Sequence, residues 1–306
     1  MLICDLHCDL PCKVLNDGIR ITENDGHFAE NRLKREHIYV QTFAHFVDQS
    51  QNPEAFPYIN RMLLHFKEQL KNTNFGLVQK GADLEENIRN GKNSAILSIE
   101  GGEALDGRIE NIEYFYNLGV RFLTLTWNFK NQIGDSCKSG NGPLTDFGKR
   151  AIKEMNRLGM VPDVSHLSEG TFWSLAETTK KPIVATHSNS KILCNHERNL
   201  TDAQIKAICD LKGLVGINIY PVFLEKDGKA DLTSIVRHIE HFLSLGGADV
   251  LALGGDLDGV DALPNGISGV QDMDAIAEAL AKQNYSDSLI RKIMGENVRD
   301  FIRREF

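Results

Sequence analysis

Eight short, mostly apolar runs recur along the chain, and longer amphipathic segments separate them. Strands that helices cover on both faces read as nearly continuous apolar runs, whereas half-buried strands alternate apolar and polar residues. The alternation therefore predicts an α/β fold, a single (β/α)8 barrel over residues 1–306. The predicted strands are Leu2–His7, Tyr39–Phe46, Ser94–Glu100, Phe122–Trp127, Val161–His166, Pro182–His187, Gly213–Tyr220 and Val250–Asp256.

Several of the intervening segments carry helix signals. Apolar residues recur at helical spacing over 144–158, and Gly159 follows them. Thr201 is a plausible N-cap for the next such segment, and Asp231–Leu245 is a third. The rival architecture is a doubly wound open sheet, which usually has fewer strands and a glycine-rich phosphate loop. The chain has no G-x-G-x-x-G motif, so the barrel is favoured.

The composition of the chain excludes several classes of protein. The chain has 34 Lys+Arg against 42 Asp+Glu, a formal net charge of −8, which excludes a basic nucleic-acid binder. Six cysteines without a CxxC pair predict reduced thiols. The first residues lack the pattern of a signal peptide, and no apolar run approaches about 18 residues. We therefore expect a cytoplasmic protein that has no membrane partner.

Polar residues that are unusual for buried strands stand at the carboxyl ends of the predicted strands. In a (β/α)8 barrel these ends converge on one mouth, where catalytic groups are expected. The sequence therefore predicts a functional site at this end of the barrel. The residues are His7, Asp9, Glu100, His166, His187 and Asp256.

Five of these residues have the chemistry of metal ligands. His7 and Asp9 are two residues apart on an extended segment, so their side chains point to the same side. A carboxylate at the end of a buried strand, such as Glu100, needs a cation nearby. His166 and His187 end consecutive predicted strands, which lie about 4.8 Å apart. Taken singly, each residue could equally be a capping group, a rim ion pair or a core histidine.

Together the five residues divide into two sets that share Glu100. His7, Asp9 and Glu100 form one set, and Glu100, His166 and His187 form the other. Nitrogen and carboxylate ligands without thiolate suit zinc, with manganese or cobalt as substitutes. Two such ions about 3.5 to 4 Å apart can bridge a hydroxide, because bound water has a pKa near 7. The sequence thus predicts two Zn²⁺ ions and hydrolytic chemistry.

Asp256 is not needed to complete either set. It could accept the proton of an attacking water and pass it to a leaving amine. The alternative is a turn or capping aspartate, and Asp258 is the fallback for the same role.

Arg198, in the loop after the sixth strand, could bind a substrate carboxylate, although its spacing alone favours a solvated surface arginine. His196 could be a further ligand, but a packing role in the loop is favoured.

The other histidines are predicted to lie in loops or helices, without a functional role. They are His27, His37, His45, His65, His238 and His241.

Seven motifs resemble, in order, those of the renal or membrane dipeptidase family of zinc peptidases in its bacterial form. The resemblance covers nearly the whole chain. The motifs are Asp5-Leu6-His7-Cys8-Asp9-Leu10-Pro11, Ser98-Ile99-Glu100-Gly101-Gly102, Leu123-Thr124-Leu125-Thr126-Trp127-Asn128, Asp163-Val164-Ser165-His166, Thr186-His187-Ser188, Arg198-Asn199-Leu200-Thr201-Asp202 and Gly254-Gly255-Asp256-Leu257-Asp258-Gly259.

The resemblance implies a barrel with a binuclear zinc site, for which the five residues named above are the ligands and Glu100 is the bridge. It also implies that Asp256 handles the proton and that Arg198 binds the C-terminal carboxylate of a dipeptide. A homodimer is consistent with such relatives. The family's membrane attachment is not carried over, since its lipid-anchor signal is absent.

One position departs from the mammalian members. Trp127 stands where they have a histidine that contacts substrate. Asn128 is the candidate to supply the missing polar contact, and the loop Ser139-Gly140-Asn141-Gly142 is the alternative source.

Three functional hypotheses remain. The leading one is a zinc dipeptidase that acts through a hydroxide bridging two metals, and the resemblance leaves open whether it accepts C-terminal D-residues as relatives do. The second is a binuclear amidohydrolase for a lactam, an acylated amino acid or another small amide, because Trp127 alters the pocket wall. The third is a catalytically silent barrel used for binding or assembly, against which the complete ligand set argues.

Overall fold

Eight parallel strands close into a barrel in the computed structural model, which describes residues 1–306. Neighbouring strands pair in the order β2-β1-β9-β8-β7-β6-β5-β4, and the pairing of β2 with β4 completes the circle. The predicted (β/α)8 barrel is therefore confirmed. The strands are β1 Leu2–Asp5, β2 Ile38–Phe46, β3 Phe75–Leu77, β4 Asn93–Glu100, β5 Val120–Thr124, β6 Val161–Asp163, β7 Val184–Ala185, β8 Leu214–Ile217 and β9 Leu251–Leu253.

The short strand β3 is an addition to the predicted set. It pairs with the beginning of β4, from Asn93 to Ala95, whereas β5 pairs with the end of β4, from Leu97 to Glu100. Strand β2 runs along β4 from Ser94 to Glu100. A three-residue strand with a central glycine carries too little pattern to be recognised in a sequence.

Most predicted strands continue too far at their carboxyl ends; only the second and third end where predicted. Two of the residues just beyond the observed ends adopt left-handed backbone conformations. The φ angle is +67° at His166 and +57° at Asp256. A residue in this region cannot continue a strand, so the chain has left the sheet before His166 and Asp256.

Helices cover the barrel on the outside, and hydroxyl or carboxylate caps begin several of them. Thr145 and Thr201 accept from the backbone N–H of Gly148 and Gln204 at 2.9 and 3.3 Å. None of the helices is long and apolar enough to cross a lipid bilayer. The helices are α1 Leu10–Asn16, α2 Ala55–Leu70, α3 Gly81–Arg89, α4 Glu110–Leu118, α5 Asp146–Leu158, α6 Glu169–Thr178, α7 Asp202–Asp210, α8 Pro221–Leu224, α9 Leu232–Ser244, α10 Ala275–Lys282, α11 Asp287–Arg291 and α12 Asn297–Glu305.

The apolar core forms two clusters. The larger one packs strands against the surrounding helices, and the smaller one joins strand residues to Val298, Phe301 and Ile302 of α12. Strand residues in the smaller cluster, such as Val161 and Leu214, lie at the amino ends of their strands. This leaves the carboxyl ends of the strands for polar groups.

Candidate active site

All five predicted ligands meet at the carboxyl ends of the strands. Glu100 is the last residue of β4, whereas the histidines and Asp9 stand a few residues beyond β1, β6 and β7. Every one of them is buried. Their ligand atoms fall into two groups, each with all atoms within 4.8 Å of one another: His7, Asp9 and Glu100, and Glu100, His166 and His187. These are the two sets that the sequence predicts.

The carboxylate of Glu100 lies between the two groups and offers one oxygen to each. Its Oε2 is 3.5 Å from Nε2 of His7. Its Oε1 is 3.0 Å from Nε2 of His166 and 3.6 Å from Nε2 of His187. The two oxygens therefore face different histidines.

Two buried polar atoms of the site have no hydrogen-bond partner. His7 Nε2 and Asp9 Oδ1 are buried without a hydrogen-bond partner. Burial raises the pKa of Asp9 to about 7, although the charge of His7 opposes this. Burial, together with the charge of Arg198, lowers the pKa of His166 to about 4. Buried nitrogen and oxygen donors without thiolate fit a zinc-type divalent cation.

Two buried carboxylates shape the turns that carry the histidines. Asp5 Oδ1 accepts from the backbone N–H of His7 at 3.0 Å and of Gly255 at 2.8 Å. Asp163 Oδ1 accepts in the same way from Ser165 at 3.0 Å and Thr186 at 2.9 Å. Each carboxylate thus binds its own turn to a neighbouring strand end, which sets the position of the ligands beyond it.

The ring nitrogen of each histidine that faces away from Glu100, Nδ1, lies near a side-chain oxygen. Nδ1 of His187 is 2.8 Å, and Nδ1 of His7 is 3.4 Å, from the hydroxyl of Thr186. Nδ1 of His166 is 3.3 Å from Oδ1 of Asn128. Asn128, predicted to contact substrate, lines the cavity and in addition contacts this histidine. All three rings direct Nε2 toward Glu100.

Asp256 stands three residues after β9, beside the ligand cluster. One of its carboxylate oxygens lies within 4.8 Å of the ligand nitrogens of His7 and His187. Its Oδ2 accepts from Nδ2 of Asn218 at 2.9 Å. The backbone N–H of Tyr220 donates to Oδ1 of Asn218, so the amide group of Asn218 can present only its NH₂ to Asp256.

The fallback residue Asp258 has a different surrounding. Its carboxylate accepts from Lys13 Nζ at 2.9 Å and from the backbone N–H groups of His27 and Phe28 at 2.8 and 3.1 Å. The two backbone bonds hold residues 27–28 against the loop after β9, and the bond from Lys13 holds α1 against the same loop. Asp258 is therefore an anchor of the mouth, and Asp256 has the freer carboxylate.

Arg198 is buried, contrary to the surface position that its sequence spacing favours, with 4% of its surface exposed. The guanidinium lies 5.5 Å from the ring centre of Phe223 and donates to the carbonyl of His187 at 3.4 Å. These contacts include no carboxylate. The packing of Phe223 explains the burial, and the cation lines the same cavity as Glu100 and Asp256.

A cavity of about 500 Å³ opens over the cluster, large enough for a small peptide. Its wall has cations on Lys13, Lys138 and Arg198, and aromatic rings that include Trp127, 4.6 Å from Phe46 between ring centres. Carboxylates also reach it. They are Asp9, Glu100, Asp256, Asp258 and Asp261.

Several residues of the site were not singled out from the sequence. Thr186, Asn218 and the turn carboxylates Asp5 and Asp163 act through contacts with residues distant in the chain. For Asp5 and Asp163, the only signal in the sequence was an aspartate within an apolar strand, two or three residues before a histidine. His45 lies in β2, as the predicted strand Tyr39–Phe46 requires, and its assignment to a loop or helix with the other histidines is wrong.

Comparisons with known proteins agree with this geometry. The family model described as membrane dipeptidase, peptidase family M19, matches residues 1–304. An uncharacterized Klebsiella pneumoniae protein from the pqqA 5′ region is 37% identical over 232 residues, 72% of this chain and 85% of that protein.

Two solved structures are similar over almost their whole length. One, described as dipeptidase AC, a metallopeptidase of family M19, has a TM-score of 0.91 at 29% identity, covering 100% of this chain and 98% of the other. The second is a metallopeptidase from Rhodobacter sphaeroides, liganded with a phosphinate mimic of the dipeptide L-Ala-D-Ala. Its TM-score is 0.89 at 28% identity, with 100% and 99% of the two chains covered.

Proposed function

Because the chain belongs to the membrane dipeptidase family, peptidase family M19, and is thus a metal-dependent peptide-bond hydrolase, we propose that it is a dinuclear zinc dipeptidase. The observation that carries the proposal is the orientation of the Glu100 carboxylate, whose two oxygens face different histidines. A carboxylate placed in this way is suited to two ions at once. We also propose that residues 1–306 form a single domain.

In this proposal His7, Asp9 and Glu100 hold one ion, and Glu100, His166 and His187 hold the other. The donor set suits Zn²⁺, with Mn²⁺ or Co²⁺ as substitutes. When bound, the ions would supply Lewis-acid polarisation of the scissile carbonyl and a water of lowered pKa. Manganese and cobalt loading would be compared with zinc in the same assay.

Charged groups of the cavity wall would orient a dipeptide. Arg198, buried and without a carboxylate partner, binds the C-terminal carboxylate. Asp256 takes the proton of the attacking water and returns it to the leaving amine. The NH₂ group of Asn218 holds one oxygen of Asp256 and leaves the other for the proton. Asn128, beside His166 in the cavity wall, contacts the substrate backbone.

The substrate proposed is a free dipeptide, including dipeptides with a C-terminal D-residue. The related Rhodobacter sphaeroides enzyme was solved with a mimic of L-Ala-D-Ala, which supports this choice. Cytoplasmic location and a homodimer remain predictions from the sequence and its resemblance.

A second candidate is an amidohydrolase for a lactam, an acylated amino acid or another small amide. Trp127 supports it, since a large ring beside Phe46 reshapes the cavity wall. The two functions differ in what they require of the substrate. A dipeptidase requires a free α-amine together with a free C-terminal carboxylate opposite Arg198, whereas acylated amino acids lack the amine and lactams or other small amides lack the carboxylate.

One experiment separates these functions. Metal content is measured on zinc-loaded protein, and hydrolysis is assayed on L,L- and L,D-dipeptides, their C-terminal amides and acylated amino acids. We expect two zinc ions per chain and fast hydrolysis of the dipeptides with a free carboxylate only. Equal or faster hydrolysis of amides or acylated amino acids would favour the second function. Bound zinc without any hydrolysis would favour a silent barrel.

A further inference from the structure

A single hydroxyl group, that of Thr186, contacts one histidine from each of the two ligand groups. Its Oγ1 lies 2.8 Å from Nδ1 of His187 and 3.4 Å from Nδ1 of His7. The same Oγ1 donates to Oδ2 of Asp163 at 2.6 Å. Thr186 and Asp163 are both buried, with 1% and 0% of their surface exposed, so no solvent competes for these bonds.

Counting protons determines the direction of each bond. A threonine hydroxyl has one proton to donate and two lone pairs that accept. Its proton goes to the carboxylate of Asp163. The hydroxyl can therefore only accept from the imidazoles, so Nδ1 carries the proton in each of these two bonds. The hydroxyl of Ser165, 3.4 Å away, is one further neighbour of the same oxygen.

This arrangement fixes which ring nitrogen is free to bind a cation. With a proton on Nδ1, the lone pair of neutral His187 lies on Nε2. Nε2 of His187 faces Glu100 at 3.6 Å, and Nε2 of His7 faces it at 3.5 Å. In the opposite tautomer, an N–H would point into the ligand cluster.

Asp163 is held so that it can play only the acceptor role. Its Oδ1 accepts two backbone N–H groups, from Ser165 and Thr186. Its Oδ2 accepts the hydroxyls of Thr124 and Thr186, both at 2.6 Å. Thr124 shares this carboxylate with Thr186, so it offers a matched control for the loss of one hydroxyl.

We propose that Thr186, oriented by Asp163, is a positioning residue that sets the metal-binding tautomer of His187 and His7 and so tunes both metal sites together. The proposal rests on the dinuclear site proposed above. The effect is expected to be stronger on His187 than on His7, because the contact is shorter by 0.6 Å, from 3.4 to 2.8 Å.

The test compares Thr186→Val, Thr186→Ser and Thr124→Val with the wild-type chain. Zinc affinity is measured by competition with a chromophoric chelator, and the His187 tautomer by ¹⁵N NMR of histidine-labelled, zinc-free protein at pH 7.5. Loss of an outer partner of a ligating histidine weakens metal binding by roughly 10- to 100-fold. We expect that loss in Thr186→Val, together with a mixed tautomer at His187.

Thr186→Ser retains the hydroxyl and should keep the wild-type affinity and tautomer. Thr124→Val, which removes a hydroxyl from the same carboxylate without touching a histidine, should change both little. An unchanged tautomer in Thr186→Val, or an equal loss of zinc affinity in Thr124→Val, would overturn the proposal. The tautomer is read without metal, so failure of the dinuclear zinc site itself would be seen separately, as wild-type protein that binds no zinc pair.

Discussion

Nε2 of His166 and Nε2 of His187 face each other at 3.1 Å, both beside Oε1 of Glu100. The outer nitrogen of each ring is held by an acceptor, the amide oxygen of Asn128 or the hydroxyl of Thr186. The two inner nitrogens then direct lone pairs toward one another and toward a carboxylate oxygen. A cation among these three atoms removes the repulsion, so metal binding and stability should be linked.

Glu100→Gln should therefore lower both the metal content and the stability of the protein. An amide presents one oxygen and one NH₂ group, so it cannot serve both ligand groups. We expect metal content to fall from two ions to one or fewer, and the melting temperature to lose its dependence on added zinc. Elemental analysis after gel filtration and differential scanning fluorimetry measure these effects. Glu103→Gln, a buried glutamate outside the cluster, should retain two ions.

Asp256→Asn should stop proton transfer while leaving the metal site intact. We expect kcat to fall by roughly 10²- to 10⁴-fold with unchanged metal content, because general acid–base catalysis contributes about that factor. Asn keeps the contact with Asn218 possible and the shape of the side chain. Asp261→Asn, at an exposed position of the same cavity wall, should change kcat little. Near-normal turnover in Asp256→Asn would remove this residue from the mechanism.

Arg198→Met should raise KM for dipeptides while keeping an apolar side chain over Phe223. A hydrogen bond to a charged group is worth about 1.5 to 3 kcal/mol, or roughly 10- to 150-fold in KM. The variant should also lose its discrimination against C-terminal amides. Lys138→Met removes an exposed cation from the same cavity and should have a much smaller effect. An unaltered KM in Arg198→Met rejects the carboxylate clamp.

Gly259→Ala should disturb two carboxylates at once. A Cβ at this position would overlap the carboxylate oxygens of Asp9 and Asp256. Displacing such groups by a fraction of an ångström should lower kcat/KM by roughly 10- to 100-fold. Gly107→Ala is a control for backbone effects without overlap. Its φ of +67° makes alanine unfavourable there, but the new Cβ would have no neighbour within 4 Å. It should keep full activity per folded molecule.

Stability should fall in acid partly because His238 is buried in its neutral form. Its Nδ1 accepts from the backbone N–H of Ser190 and its Nε2 donates to the carbonyl of Leu224, both at 3.1 Å. Burial lowers the pKa of His238 to about 4, against about 6.5 in the unfolded chain. Between these values the unfolded chain binds more protons, so stability is complete above pH 6.5 and declines toward pH 4.

His238→Gln keeps an acceptor and a donor without titrating. We expect its free energy of unfolding to decline by roughly 2 kcal/mol less than that of the wild type between pH 7 and pH 4.5. Urea titrations of the zinc-loaded proteins at both pH values measure this difference. His65→Gln, at an exposed position of α2, should follow the wild type. Parallel curves for His238→Gln and wild type would contradict the assignment.

The amino-acid sequence determined the barrel and the neighbourhood of its site. Apolar runs buried by helices predict parallel strands, and parallel strands in a barrel must bring their carboxyl ends together. For this reason His7, Glu100 and His187 could be placed at one mouth although they are far apart in the chain. The resemblance of seven motifs then supplied roles for Asp256 and Arg198 that spacing alone left open.

The tertiary structure decided the orientation of these groups. Thr186 and His7 are 179 positions apart, and Asn218 and Asp256 are 38 apart, so no local pattern reports either contact. The burial of Arg198 depends on Phe223, and the left-handed turns at His166 and Asp256 end strands that the apolar pattern extends. Local sequence determines which residues can form strands and helices, whereas hydrogen-bond direction and side-chain burial depend on which distant segments pack together.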